Sequence, residues 1–501
     1  MIQVLLWLPL AVGLACLVLP RRAVPVAATL GALATLGLAI ALAIDFDSAI
    51  AGLQHPVDES WIPDLGVRYQ LGVDGISVFL VLLTALVWAG AVVWSAFHPP
   101  DRARNYFLML LLAETATLGA FLSQDLLLFV LFFDLMLVPF FFLFGSWGAE
   151  NEGIRPVPAT MKMVVYTLVG SLLMLVGAIA AAILATPEGG QISFSIATLE
   201  TRILPEGTQD WIFWFFAAAF LVKMPAFLLH GWMPDAYRVA PLPVLVVFSA
   251  VLSKVGAYGF LRVALPLFPE AAADFQEVIL LIALASILYG SVMAFTQTNL
   301  RLIAGFSSVA QMGFITLGIF SLRADGADGA VLQMVNHGLV VAPLLFIVAV
   351  LHARSGTEDL RELGGMAMRA PILAALFLVV TLATLAMPGS SNFVGEFFIL
   401  NGVFQDKAAY AVVATIGVVL AAFYALRLYQ RSMHNRKPAE LASREISLRE
   451  ALVVAPLVAC IVALALWPGL ILERGEASVE AALEPSEQTL AGGWTGYAPI
   501  E

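Results

Sequence analysis

Residues 211–235 read WIFWFFAAAFLVKMPAFLLHGWMPD. At about 1.5 Å per residue such an apolar run reaches across a hydrocarbon core of roughly 30 Å, yet it carries Lys223 and Pro225 in its middle. Proline inside a helix removes a hydrogen bond and frees a carbonyl of the preceding turn. In lipid that is tolerated only where the exposed backbone meets protein or a water-filled cavity. The stretch predicts a broken membrane helix with a cation at the break.

Outward from it, apolar runs bounded by Pro, Gly and charged clusters recur at about 2–20, 24–44, 75–97, 106–123, 125–146, 160–186, 211–232, 241–265, 276–295, 301–321, 328–352, 370–402, 407–430 and 450–472, which we number spans 1 to 14. Of 501 residues 61% are hydrophobic and 12% charged, against roughly a quarter charged in a soluble domain, and mean hydropathy is +0.94. The runs are twice the length of a barrel strand and do not alternate, so they are helices, the form that satisfies every backbone group in lipid. The expected fold is an all-α polytopic membrane protein with about 14 transmembrane helices. Leu14-Ala15-Cys16 faintly resembles a lipoprotein cleavage site, but no basic region precedes it and Arg21 and Arg22 follow it, so residues 2–20 read as the first membrane helix.

Basic residues test the count independently. With the N-terminus outside, the loops on the cytoplasmic side hold fifteen of the 25 Lys and Arg, including Arg21, Arg22, Arg155, Arg354 and the Arg431 to Arg449 loop. The other side holds six, and Lys162, Lys223, Lys254 and Arg427 fall in the spans. Both termini are therefore expected on the periplasmic side of a cell inner membrane. The acidic tail from Glu473 reads as a solvated arm.

Composition removes several functions. Cys16 and Cys460 lie at opposite ends of the chain, so no Cys-x-x-Cys pair exists to hold zinc, haem or an iron–sulfur cluster and no redox centre of that kind is expected. A net charge of −11 without a basic cluster argues against nucleic acid. No glycine-rich phosphate loop appears.

Ionisable groups within membrane helices are costly and mark function unless they snorkel to a headgroup region. They are Glu114 in span 4, Asp134 in span 5, Lys162 in span 6, Lys223 in span 7, Lys254 in span 8, His337 in span 11 and Glu396 in span 12. Asp134 needs a cation, and Lys223 is the natural candidate; the competing reading is a static ion pair that fixes packing. Lys162, near a helix end, reads equally as a snorkelling residue, and Glu114 has no assigned partner. Span 12 repeats the device of span 7, with Pro388 and Gly389 before Glu396. The two broken helices, 7 and 12, lie five spans apart, which predicts two inverted five-helix repeats, spans 4–8 and 9–13. Lys254 and Tyr258, Ser307 and Gln311, and Gln333 and His337 are i, i+4 pairs that would line a hydrated path, with Ser308 beside them. Bonds that merely tie helices together are the alternative.

Six segments carry a resemblance: LGVDGIS at 71–77, FFDLMLVPFFFLFGSW at 132–147, VKMPAFLLHGWMPD at 222–235, KVGAYG at 254–259, QMVNHG at 333–338 and PGSSNFVGEF at 388–397. In this order they resemble the antiporter-like proton-channel subunits of respiratory complex I (NADH:quinone oxidoreductase). The resemblance implies fourteen helices with two inverted repeats, and it implies that Asp134 modulates Lys223, Lys254 and His337 connect inward, and Glu396 stands at the outlet. Glutamate on span 12 is similar to the branch holding subunit M and its antiporter relative, and unlike subunits L and N. It implies lipid and L- and N-like homologues as partners, with flavin, iron–sulfur clusters and quinone in partner subunits and no cofactor or metal on this chain. Two positions depart from the family pattern, which usually has glutamate at Asp134 and commonly histidine at Gln311. The shorter acid implies a longer or water-bridged pair with Lys223, and glutamine cannot take and release a proton.

The expected organisation is spans 1–3 over 1–105, repeats over 106–270 and 271–430, and a cytoplasmic loop, span 14 and polar tail over 431–501. The expected activity is proton translocation by a redox-inactive subunit of an NADH:quinone oxidoreductase. A component of a multisubunit cation/proton antiporter, or of a related membrane-bound hydrogenase or other quinone-reducing complex, is the alternative.

Overall fold

The computed structural model describes residues 1–50, 52–202, 204–435 and 444–491. Arg436 and Lys437 of the positive-inside count, and Glu501, lie outside the described residues. Among the described residues eleven helices are long and apolar enough to cross a membrane, joined by the shorter apolar helices Ile2–Val18 and Pro371–Thr384. Each apolar run of the sequence falls on helix, spans 7 and 12 with a non-helical break. Span 7 is Glu206–Lys223, a non-helical stretch, and then Met233–Val239. Span 12 is Pro371–Thr384 followed by the first part of Ser391–Met433, whose second part is span 13; non-helical Lys407 marks their boundary.

Two helices deviate at a charged residue. Span 5 loosens at Met136, between Leu126–Leu135 and Leu137–Trp147 and two residues after Asp134: the Met136 N–H reaches Phe132 O at 3.3 Å and its carbonyl accepts from Phe140 at 3.5 Å, and Pro139 supplies no N–H to the turn below. In span 8 the α-helical turn Ser253–Gly259, which holds Lys254, lies between the π-helical turns Phe248–Leu252 and Phe260–Ala264. Single π turns of this kind are frequent at functional sites. Spans 8, 10 and 11 are enclosed by protein on all sides.

The helical fold carries one addition, and one sequence expectation needs correction. Gln54–Ile62 (β1) and Val67–Val73 (β2) form an antiparallel hairpin with Glu59 opposite Tyr69 and Ser60 opposite Arg68. Its turn is closed by Gly66 at φ +71°, a backbone conformation that glycine adopts at little cost. The acidic tail is not a solvated arm where it is described. Residues Gly469–Leu490 form a helix whose Ile471, Val479 and Leu483 are buried, and the backbone N–H of Gly75 donates to its Ser478 Oγ at 3.0 Å. Small and apolar residues at helical spacing give the tail one packing face, and its glutamates occupy the rest.

Candidate functional site

The site begins where span 7 breaks. Lys223 is the last residue of its helix. Pro225 has no N–H to continue the ladder, so the carbonyls above it find other donors: Ala226 N–H reaches Leu221 O at 3.0 Å and the Trp232 indole reaches Val222 O at 3.1 Å. Both of these carbonyls are thus bonded, and the break holds Lys223 inside, 5% exposed. Its ammonium donates to Phe133 O at 3.1 Å and lies 4.1 Å from the Phe133 ring centre. Asp134 is the next residue, yet its carboxylate stays more than 4.0 Å from Lys223 Nζ, and its Oδ1 has no hydrogen-bond partner. The direct ion pair natural to the sequence is therefore absent, and the short aspartate arm is the physical reason. Beside Lys223 lies a cavity of about 20 Å³ lined by Pro225, Thr167, Trp232, Tyr237 and Ser253. That is room for about one water.

Lys254, fully buried, is next. Its Nζ lies 2.8 Å from His337 Nδ1, 3.2 Å from Ser249 O and 3.4 Å from Ser253 Oγ. Reaching back five residues to Ser249 fits the wider π turn that precedes it. One turn N-terminal to His337 on the same helix face, Gln333 Nε2 donates to Gln311 Oε1 at 2.7 Å, and Gln311 Nε2 donates to Glu396 Oε1 at 2.8 Å. Glu396 is 3% exposed with Oε2 unpartnered. Ser307 donates to the Tyr424 hydroxyl at 2.9 Å, and Ser308 Oγ lies 3.5 Å from Ser249 Oγ. At the span 12 break Asn336 donates to Ser391 O at 2.7 Å, while the Asn392 amide and the Ser390 and Ser391 hydroxyls, like His337 Nε2, have no protein partner. Buried polar atoms in this number call for ordered water.

Lys223, Lys254, His337, Gln333, Gln311 and Glu396 are thus brought into one row between Pro225 and Pro388, and Asp134 stands at its edge. Five candidates are not in it, of which Ser307 and Ser308 make the contacts just given. Tyr258 turns away from Lys254 and donates to Phe121 O at 3.2 Å. Lys162 pairs with Asp235 at 2.8 Å and is 42% exposed, a peripheral ion pair. Glu114 is fully buried with both carboxylate oxygens unpartnered. Sequence reasoning missed Ser249, Tyr237, Asn336 and Tyr424; Tyr237 follows the Trp232-Met233-Pro234-Asp235 segment, whose composition reads as loop.

At the end of the bundle opposite the hairpin, Glu152 accepts from Arg238 at 2.8 Å and from Asn299 at 2.9 Å. Burial opposes its charge, but these two donors outweigh burial and hold its carboxyl below the usual carboxylate range.

Residues 123–423, which contain this row, match the family model described as NADH:quinone oxidoreductase/Mrp antiporter, TM. The chain belongs to that family. NADH-quinone oxidoreductase subunit M of Rhodobacter capsulatus is 36% identical over 489 residues, 94% of each chain. Subunit M of Escherichia coli (strain K12) is 35% identical over 463 residues, 89% of this chain and 91% of that one. Among solved structures, a chain of respiratory complex I from Thermus thermophilus with bound NADH superposes with a TM-score of 0.88 at 30% identity, over 97% of this chain and 99% of that one. A chain of the Mrp complex from Dietzia sp. DQ12-45-1b superposes at 0.84 with 20% identity over 98% of both, a likeness of fold. As a member of the NADH:quinone oxidoreductase/Mrp antiporter family the chain is a multi-pass membrane protein.

Proposed function

We propose that this chain is the antiporter-like, proton-translocating membrane subunit, of the M type, in an NADH:quinone oxidoreductase. The observation that carries the reading is the buried row from Lys223 to Glu396, in a chain that aligns over nearly its whole length with subunit M relatives. It works with other membrane subunits of its complex. Quinone reduction in partner subunits drives proton movement along the row: Asp134 biases the charge on Lys223, Lys254 and His337 receive the proton, and Glu396 releases it. Flavin, iron–sulfur clusters and quinone belong to the partners, L- and N-like homologues are its neighbours, and this chain holds no redox site. Spans 4–8 and 9–13 form the two inverted repeats, in a cell inner membrane with both termini periplasmic. Native purification with subunit identification tests the reading. Flavin and iron–sulfur partners support it; small membrane proteins alone would favour the cation/proton antiporter.

Two predictions arise here. Cysteine-accessibility labelling is expected to place Arg444 in the cytoplasm and Arg474 on the opposite side; label reaching both from one side refutes the fourteen-span topology. Gln311 bridges Gln333 to Glu396 without titrating, so Gln311→Ala is expected to reduce pumping modestly and Gln311→His to be tolerated. Complete loss in Gln311→His would show that the family role does not map to this position.

A further inference from the structure

A buried ion pair outside the row joins span 10 to the loop after span 11. Arg301, at the start of span 10, and Glu358, in the loop after span 11, are 8% and 7% exposed. Arg301 Nε donates to Glu358 Oε2 at 2.7 Å, and Nη2 lies 2.7 Å from Oε1. Asn151 also donates to this carboxylate, at 2.9 Å. The remaining arm of the guanidinium, Nη1, donates to Ala240 O and lies 3.4 Å from Tyr237 O. These carbonyls close the short helix Met233–Val239, the piece of span 7 beyond its break. A fork held at two nitrogens by one carboxylate is fixed in plane, so its third nitrogen is aimed.

What is aimed is Tyr237. It is 3% exposed, it lines the cavity that Lys223 lines, and its hydroxyl donates to Ser249 Oγ at 2.8 Å. The Ser249 carbonyl in turn accepts from Lys254. Tyr237 is therefore a hydroxyl between the two lysines, beside Ser253, which lines the same cavity and whose Oγ lies 3.4 Å from Lys254 Nζ. The helix carrying it is seven residues long and follows a break, so its own ladder holds it weakly.

Resting on the function proposed above, we infer that Tyr237 relays the proton from Lys223 to Lys254, and that the Arg301–Glu358 pair is the positioning device that keeps it in line. Lys223 Nζ loses a proton to water in the cavity. That water protonates the Tyr237 oxygen as the tyrosine's own proton passes to Ser249 Oγ. Lys254 touches the Ser249 carbonyl and not its hydroxyl, so the Ser249 proton crosses to the neutral Lys254 amine by a second water, and rotation of the hydroxyls resets the line. One N–H bond breaks on Lys223 and one forms on Lys254, with no net change at the hydroxyls. The clamp joins span 10 and the loop after span 11 to the first half of the path, so the second repeat holds the relay of the first.

The test uses the intact complex in proteoliposomes, reading protons moved per quinone reduced, with assembly checked on native gels. Tyr237→Phe removes only the hydroxyl and is expected to lower pumping about tenfold in an assembled complex, the change a lost hydrogen bond of upper-range strength brings. Tyr237→His, which keeps a proton-carrying ring, is expected to restore part of it. Glu358→Gln breaks the fork and is expected to lower pumping less. The double variant Tyr237→Phe/Glu358→Gln is expected to be no worse than Tyr237→Phe, because the clamp acts through the hydroxyl; additive losses overturn the positioning role. If Glu358→Gln does not assemble, Arg301→Lys keeps the charge, loses the fork and is read in the same way. Lys223→Met and Lys254→Met run beside them. Wild-type pumping in Tyr237→Phe with both lysine variants inactive overturns the relay and leaves the proposed function standing. Full pumping in the lysine variants overturns the function itself.

Discussion

Lys223→Met is expected to abolish proton translocation while the complex still assembles. Methionine fills nearly the volume of the lysine stem, so the packing against Phe133 survives. What is lost is the bond from Nζ to Phe133 O and the contact with the ring face, together worth about 1–3 kcal/mol. That is small for a helix bonded through Ala226 and Trp232 on both sides of its break. The chemical loss is total, because the cavity that leads toward Ser253 then has no ammonium to supply the proton that enters the line. Proton pumping and quinone reduction in the reconstituted complex decide it. Full coupled pumping would eliminate Lys223 as carrier and leave the static packing role.

Asp134→Asn is expected to be milder. Desolvation favours the neutral form of a buried amine, and a nearby carboxylate favours the charged form. Because Asp134 stays more than 4.0 Å from Nζ, its removal weakens the bias on Lys223 without unmaking a bond. Pumping is expected to fall while quinone reduction changes little; an unaltered proton stoichiometry would remove Asp134 from the switch.

How far the sequence could be read follows from what each feature depends on. The spans are legible because crossing lipid needs a minimum apolar length, and the two breaks because Pro225 follows Lys223 and Pro388 precedes Gly389 within apolar runs, whereas Pro343 alone leaves its helix continuous. The hairpin is not, since Gln54–Ile62 is only nine residues long and partly polar. The C-terminal helix hides because Ile471, Val479 and Leu483 are diluted by glutamates that suggest solvent. Tyr258 shows a further limit. Spacing of i, i+4 fixes a shared face but leaves about 6 Å along the axis, and Lys254 reaches back to Ser249 while Tyr258 reaches Phe121. Gln311 is the converse: its helix spacing was readable, but its place between Gln333 and Glu396 needed three helices to be brought together.

Glu396→Gln is expected to stop pumping nearly as completely as the loss of Lys223, for a different reason. The amide has almost the shape of the carboxylate and keeps an oxygen for Gln311 Nε2, so the line from Gln333 through Gln311 stays bonded and the break at Pro388 is untouched. Glu396 Oε2, buried without a protein partner, is where a proton arriving by water would bind and from which it would leave. An amide there neither binds nor releases it, and Gln311, the next polar group along the line, cannot take over. Glu396→Asp keeps a titratable oxygen on a shorter arm and is expected to retain part of the activity, since water can fill the added distance. Proton uptake with quinone reduction followed in parallel separates the two variants. If Glu396→Gln pumps at the wild-type stoichiometry, the proton leaves the membrane by another route and the row ends at His337.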